Sequence, residues 1–145
     1  MRNLTEEIEI VLNERFGKDS LISLATVKDN MPYVRTVDAY YDNRSFYVLT
    51  YALSNKMKQI DSNPNVAISG DWFTAVGKGI NLGYFGKKEN KEIADRMREY
   101  FAAWIDNGHN NFDDENTVIL QIRLTNGTIV INNEWIDLNF IEKKG

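Results

Sequence analysis

Short stretches in which apolar and polar residues alternate, separated by brief polar turns, recur along this chain and restrict it to few folds. Tyr33 to Tyr41 is the clearest. Val34, Thr36, Asp38 and Tyr40 fall on one face, and Tyr33, Arg35, Val37, Ala39 and Tyr41 on the other. That two-residue period belongs to a strand with two different surroundings. An apolar run from Leu21 to Val27 precedes it, and Ser45 to Thr50 follows. Lys28-Asp29-Asn30 and Asp42-Asn43-Arg44 supply turn chemistry between them. Pro32 is tolerated because it opens its strand. Three strands joined so tightly form an antiparallel meander.

The same reading extends along the chain. Asn3 to Phe16 predicts an amphipathic helix with Leu4, Ile8, Val11, Leu12 and Phe16 on one face. Asn3 with Glu6 resembles a capping box, and Gly17 is a natural stop. Val66 to Gly70 predicts a short strand. Trp72 to Tyr84, with glycines at 77, 79 and 83, predicts one bent strand or two joined by a loop. Asn90 to Ile105 predicts a second long helix, capped by Asn90, with Ile93, Met97, Tyr100, Phe101 and Trp104 as its apolar stripe. Asn107 to Asn111 is a loop. Thr117 to Leu124 and Thr128 to Trp135 predict the last two strands, joined at Asn126-Gly127, a strong hairpin signal. The tail from Asp137 to Gly145 is expected to fray. Six or seven antiparallel strands with three helices interposed must close or pair their edges. The expected class is therefore α+β, predominantly β, built as a small barrel with peripheral helices. The 145 residues fit one domain with its own core.

Composition removes several functions. The chain has no cysteine, which excludes thiolate catalysis, disulfides and Cys-ligated metals. Its 17 basic residues are outnumbered by 21 acidic ones, for a net charge of −4, and its only adjacent basic pairs are Lys87-Lys88 and Lys143-Lys144. Nucleic-acid backbones call for clustered Lys and Arg, so no such partner is expected. The single histidine, His109, has no spaced carboxylates to complete a metal site. No apolar run approaches the roughly 20 residues of a membrane span. The N-terminus turns acidic at once, unlike a signal peptide. The expected location is the cytoplasm.

One stretch stands out for chemistry. Phe46 to Leu49 ends a strand, Ser54 stands where a helix cap belongs, and a short helix is predicted from Asn55 to about Asp61, stopped by Asn63-Pro64. Free N–H groups in the first turn, with Lys56 among them, make an anion site. The same spacing equally fits an ordinary capped helix with a surface lysine.

Four fragments in this order carry a resemblance: Pro32-Tyr33-Val34-Arg35-Thr36-Val37, Tyr47-Val48-Leu49-Thr50, Ser54-Asn55-Lys56 and Asn63-Pro64-Asn65-Val66-Ala67. From Leu21 to Trp135 the chain resembles the FMN-binding split barrels of the pyridoxamine 5′-phosphate oxidase-like superfamily, and most of all its short, general stress protein 26-like members. The resemblance implies a split barrel of six or seven strands and a homodimer with FMN at the subunit interface. It implies that Arg35 and Lys56 hold the phosphate, with Ser54 and Asn55 as neutral donors. The main chain of Thr36, Val37 and Asp38, and of Leu49 and Thr50, would lie along the isoalloxazine ring. Lys78 falls where relatives place a polar flavin contact; a solvent-facing strand residue is the alternative.

The implied function is electron or hydride transfer between a nicotinamide donor and an acceptor. A non-catalytic flavin, F420 or haem binder is the alternative on the same fold, and for haem the candidate axial ligand is His109. After Trp135 the chain lacks the Arg- and His-containing segment with which pyridoxamine phosphate oxidases bind their substrate, so vitamin B6 oxidation is not expected. The aromatics Tyr100, Phe101 and Trp104, with Trp72 and Phe73, add a second reason to expect a dimer, since so small a domain does not readily bury them all.

Overall fold

The computed structural model describes residues 1–141. In chain order the elements are β1 (Arg2–Asn3), α1 (Glu6–Phe16), β2 (Ser20–Lys28), β3 (Met31–Asp42), β4 (Ser45–Tyr51), α2 (Asn55–Ser62), β5 (Asn65–Gly70), β6 (Phe73–Tyr84), a 3-10 turn (Lys88–Asn90), α3 (Lys91–Tyr100), β7 (Thr117–Ile131) and β8 (Glu134–Asn139). Strands β7-β4-β3-β2-β5-β6 are hydrogen-bonded in that order, and β6 pairs back onto β7. All six pairings are antiparallel, so the sheet closes into a barrel. β8 extends it from the outer half of β7, and β1 joins β8 in parallel. The predicted class and barrel are what the chain forms.

Alternation decides which side chains enter the barrel. On β2, Ile22, Leu24 and Thr26 are buried, and on β4, Phe46 and Val48. Two helices plug opposite ends. Phe16 of α1 sits beside Gly70 and Ile22 and packs edge-on against Phe46 at 5.4 Å between centroids. At the other end Ile60 of α2 rests on Gly79, where an added Cβ would come within 2.8 Å of the isoleucine. α3 covers the outer face of β3 and β4. There Met97, Phe101 and Ile105 form a second cluster with Tyr40, Ile119 and Phe85.

Several sequence expectations need correction. α1 is capped by Thr5, whose hydroxyl accepts from Ile8 N at 3.3 Å. Asn3, the expected cap, is held extended in β1 by pairing with Asn139. The expected second long helix begins as a 3-10 turn and ends at Tyr100, with turns continuing to Ile105. Asn90 precedes it but does not cap it, because its amide donates inward to the carbonyls of Leu82 and Tyr84. The aromatics thought to call for a partner are served at home. Phe101 and Phe73 are fully buried, Tyr100 and Trp104 half-buried, and only Trp72 stands 67% exposed.

The largest correction concerns the last hairpin. Asn126-Gly127 is not a turn but the middle of β7, which runs unbroken for 15 residues. The turn is Asn132-Asn133, with φ of 52° and 63°, the doubly left-handed form that closes a two-residue hairpin. Asp29-Asn30 and Asn43-Arg44 do the same at the β2–β3 and β3–β4 hairpins. At 126–127 the chain instead passes a bulge: Gly77 pairs with Leu124 and Val76 with Asn126, leaving Thr125 over. A Cβ on Gly127 would meet Thr74 O at 2.5 Å, so glycine serves close strand approach here. The expected fraying tail is also wrong as far as Ile141. β8 runs to Asn139, and Phe140 is buried against Phe73 at 6.0 Å. The remainder of that tail lies outside the described residues.

Gly127→Ala is expected to lower stability by about 1–3 kcal/mol, the usual penalty for forcing a methyl into a packed contact. Urea unfolding with an unchanged midpoint would show that β6 and β7 have room for it.

Candidate functional site

β3 changes neighbours along its length. Met31 to Ala39 pair with β2, whereas only Tyr40, Tyr41 and Asp42 pair with β4. β4 pairs with β7 from Ser45 to Tyr51. Beyond Tyr47 the facing edges of β3 and β4 therefore part, and the barrel wall is split. The main chain of Thr36, Val37 and Asp38 borders this split on one side, and that of Leu49 and Thr50 on the other, without pairing across it.

At the α2 end of the barrel two cations converge. Arg35 lies opposite Leu24 in the register, so its side chain takes the inward parity of its strand. Its guanidinium donates from Nη1 to Leu24 O at 3.2 Å and to Thr26 Oγ1 at 2.8 Å, and from Nη2 to Gln59 Oε1 at 3.0 Å. Lys56, in the first turn of α2, donates to Thr50 Oγ1 at 2.8 Å. Ser54 caps the helix as expected, with Met57 N at 3.5 Å from its hydroxyl, a long bond at the outer limit of the range. Asn55 is exposed beside it.

Among the described residues neither Arg35 nor Lys56 has a carboxylate within ion-pair distance. Burial lowers the pKa of both, and for Lys56 the neighbouring Arg35 charge lowers it further. Two half-buried cations, each disfavoured by burial and one of them also by the other's charge, are suited to receive an anion.

The remaining site candidates lie at various distances from this pair. Thr36 is exposed at the split, Val37 points into the core, and Leu49 packs beside the α3 cluster. Lys78 sits outward on β6, where it pairs with Asn65 and Arg123 and donates to Asn65 Oδ1, so it does not join Arg35 and Lys56 within one chain. His109 is exposed in its loop. A hollow of about 510 Å³ runs along the opposite flank of α2, lined by Leu53, Met57, Ile60, Pro64 and Gly79. It shares no lining residue with the cationic pair.

Two residues of the site were missed in the sequence. Thr26 and Gln59, both buried, bond to each other at 2.5 Å and to Arg35. Thr26 could have been noticed as the one hydroxyl at an inward position after Ile22 and Leu24. Gln59 follows Lys56 by three, which puts both on one helix face.

Asp38 has a separate relationship. Its carboxyl meets that of Asp19, whose other oxygen accepts from Trp104 Nε1 at 3.0 Å. Burial first, and then Asp19, push the Asp38 pKa up to about 6. Asp19 Oδ1 is buried and has no donor unless Asp38 carries the proton.

A six-stranded barrel with one parted seam and a cationic end is a split barrel. The sequence model described as pyridoxamine 5′-phosphate oxidase matches residues 4–130, and the chain belongs to that family. General stress protein 26 of Bacillus subtilis is 28% identical over 100 residues, covering 69% of this chain and 71% of that protein. Among solved structures, a FAD-binding protein from Mesorhizobium loti superposes with a TM-score of 0.61 at 19% identity, covering 87% of this chain and 94% of its own. A heme binding protein from Mycobacterium smegmatis gives 0.65 at 12% identity, covering 86% of this chain and 54% of its own. At such identities these two establish the shared fold.

Asp38 holds its proton more tightly folded than unfolded. Stability therefore falls as pH rises from about 4 to 6, and the loss is complete above that. Asp38→Asn supplies Asp19 with a permanent donor. It is expected to raise stability by about 1 kcal/mol at pH 8, and to add nothing at pH 4. Equal changes at both pH values in thermal unfolding would contradict this pairing.

Proposed function

We propose that this chain binds FMN, with the phosphate between Arg35 and Lys56 and the isoalloxazine ring in the β3–β4 split, and that it works as an FMN-dependent oxidoreductase. The observation that carries the reading is the pair of half-buried cations with no carboxylate partner among the described residues. A phosphate supplies the charge they lack. Arg35 offers a planar fork, and Lys56 a point charge. Ser54 and Asn55 add neutral donors at the start of α2. The unpaired edges of Thr36–Asp38 and Leu49–Thr50 offer main-chain donors and acceptors to a flat heterocycle.

FMN, when bound, supplies hydride and electron transfer between a nicotinamide donor and a small-molecule acceptor. The residues here bind and orient it, and among the described residues no acid–base set beside Arg35 and Lys56 calls for other chemistry. A cytoplasmic site of action belongs to the same reading. The alternative is a non-catalytic binder of flavin, F420 or haem. The FAD-binding neighbour supports the flavin side of that choice, and the heme binding neighbour the other. Flavin absorbance against a Soret band in the purified protein separates them.

The same reading makes the chain a homodimer with flavin near the interface, its 145 residues acting as one domain. Support comes from one sheet face. Val34, Ala25, Ala67 and Val76 stand in register across β3, β2, β5 and β6, and Val34 is 71% exposed. A row of small apolar residues across four strands suits a second flat surface. On that face Lys78 would reach a flavin only across the interface. Light scattering is expected to give twice the 16.8 kDa chain mass. Ala67→Arg is expected to return it to one. A monomeric wild type at micromolar concentration would end the dimer proposal.

Lys56→Ala is expected to weaken FMN about ten- to a hundredfold, the worth of one charge-assisted bond, and to leave riboflavin affinity nearly unchanged. Flavin fluorescence titrations with both ligands measure this. Equal losses, or none, would show that the turn is only a helix cap.

A further inference from the structure

The arginine at the end of the barrel is not free to choose which of its edges it presents. A guanidinium has five N–H groups. Both hydrogens of Nη1 are taken, by Leu24 O at 3.2 Å and Thr26 Oγ1 at 2.8 Å. One hydrogen of Nη2 is taken by Gln59 Oε1 at 3.0 Å. Thr26 donates its own hydroxyl hydrogen to the same Gln59 oxygen at 2.5 Å, so the two acceptors stand side by side across the end of the guanidinium. What remains is Nε–H and the second Nη2 hydrogen, for which no partner exists among the described residues. These two lie on one edge, parallel and adjacent, which is the arrangement that grips two oxygens of a phosphate or carboxylate.

We infer that Thr26 and Gln59 are positioning residues for Arg35: together they occupy one edge of its guanidinium and thereby turn the other, the Nε–Nη2 fork, toward an oxyanion. This rests on the phosphate reading of Arg35 and adds what sets its specificity. The chemistry of the pair matters. Gln59 and Thr26 are both neutral, so they hold the arginine without cancelling its charge. A carboxylate at position 59 would form an ion pair there and compete with the ligand. Both side chains are buried, Thr26 completely and Gln59 at 7% exposure, which keeps water from replacing either bond. The two also come from separate elements, whose apolar residues Met57, Ile60, Ile22 and Leu24 share the barrel core. Gln59 projects from α2 and Thr26 from β2, so the arginine is oriented only when the helix is seated on the barrel. Lys56 is carried by that same helix, so both phosphate ligands are set by one docking event.

The test uses the full chain and two ligands, FMN and riboflavin, which differ only in the phosphate. Thr26→Val keeps the shape and removes the hydroxyl, Thr26→Ser restores it, and Gln59→Met removes the amide from α2. Arg35→Ala serves as the reference for full loss. In Thr26→Val and Gln59→Met the preference for FMN over riboflavin is expected to fall about three- to tenfold, with riboflavin affinity unchanged. Thr26→Ser is expected to retain the wild-type preference. A role confined to stability would shift the melting temperature without moving that ratio. If Thr26→Val and Gln59→Met keep the wild-type preference while Arg35→Ala loses it, the arginine needs no positioning and the inference fails, although the phosphate reading stands. A serine variant as poor as the valine one would equally overturn it. If wild type itself does not prefer FMN, the phosphate reading has failed first. Should Gln59→Met not fold, the valine and serine pair at position 26 decides the matter alone.

Discussion

The parting of β3 from β4 is the feature on which the rest of this molecule depends. A strand in a closed barrel normally has neighbours on both edges, since an unpaired main chain has no other ready partner. β3 has both only in succession: β2 as far as Ala39, then β4 from Tyr40. Side chains explain where the change falls. At Tyr40 the strands are held together from outside. Tyr40 stacks on Tyr47 at 5.3 Å, and Tyr100 and Phe101 close over it from α3 and the turn behind it. Going back along β3, the inward positions pass from Tyr41, Ala39 and Val37 to Arg35. An arginine there cannot enter a sealed apolar core without a charge partner. The wall has already opened by Ala39, before that charge is reached, and α2, not another strand, covers the Arg35 end.

Several other charges are arranged in the opposite way, although Arg15, Arg44 and Lys78 bond only to neutral oxygens. Lys91 pairs with Asp95 and Arg98 with Asp106 at exposed positions, and Arg96 pairs with Asp42 and Glu92 at a partly exposed one. Such pairs contribute little to stability. Arg35 and Lys56, half-buried, have no carboxylate within reach among the described residues, in a chain whose net charge is −4. An ordinary structural role would favour a neutralised site, because an uncompensated, half-buried charge is costly. Keeping both bare is a cost in the free protein that an anionic ligand relieves. The stability of α2 on its seat and the affinity for that anion are thus linked through the same groups.

How much of this could be read in the sequence differs by element. The meander was legible because each strand alternates and because Asp29, Asn30 and Asn43 are residues that tolerate a left-handed turn. The last hairpin was misread for a reason within the same chemistry. Asn-Gly outranks Asn-Asn as a turn signal, yet Gly127 is needed for the approach of Thr74, and Asn132-Asn133 makes the turn. Sequence shows that a glycine is present but not which of its two uses applies. The Ser54 cap and the Lys56 turn were legible because capping is local. The β3–β4 split was legible only through the family resemblance, because it depends on which strands remain neighbours after the barrel closes.

Thr26 and Gln59 stand between these cases. Each interrupts an apolar pattern of the fold: Thr26 the inward series of β2, Gln59 the buried face of α2 between Met57 and Ile60. A polar residue at an apolar position must find a partner on folding, since leaving it unpaired costs more than the bond returns. Two such residues in separate elements, with a charged residue at a third inward position, satisfy one another most simply by meeting. Arg35 supplies the donors, Gln59 the acceptor, and Thr26 both. The interruptions call for polar partners, and the structure supplies them in one another. What they leave open is the edge of the guanidinium that stays free, which only the geometry of the bonds determines.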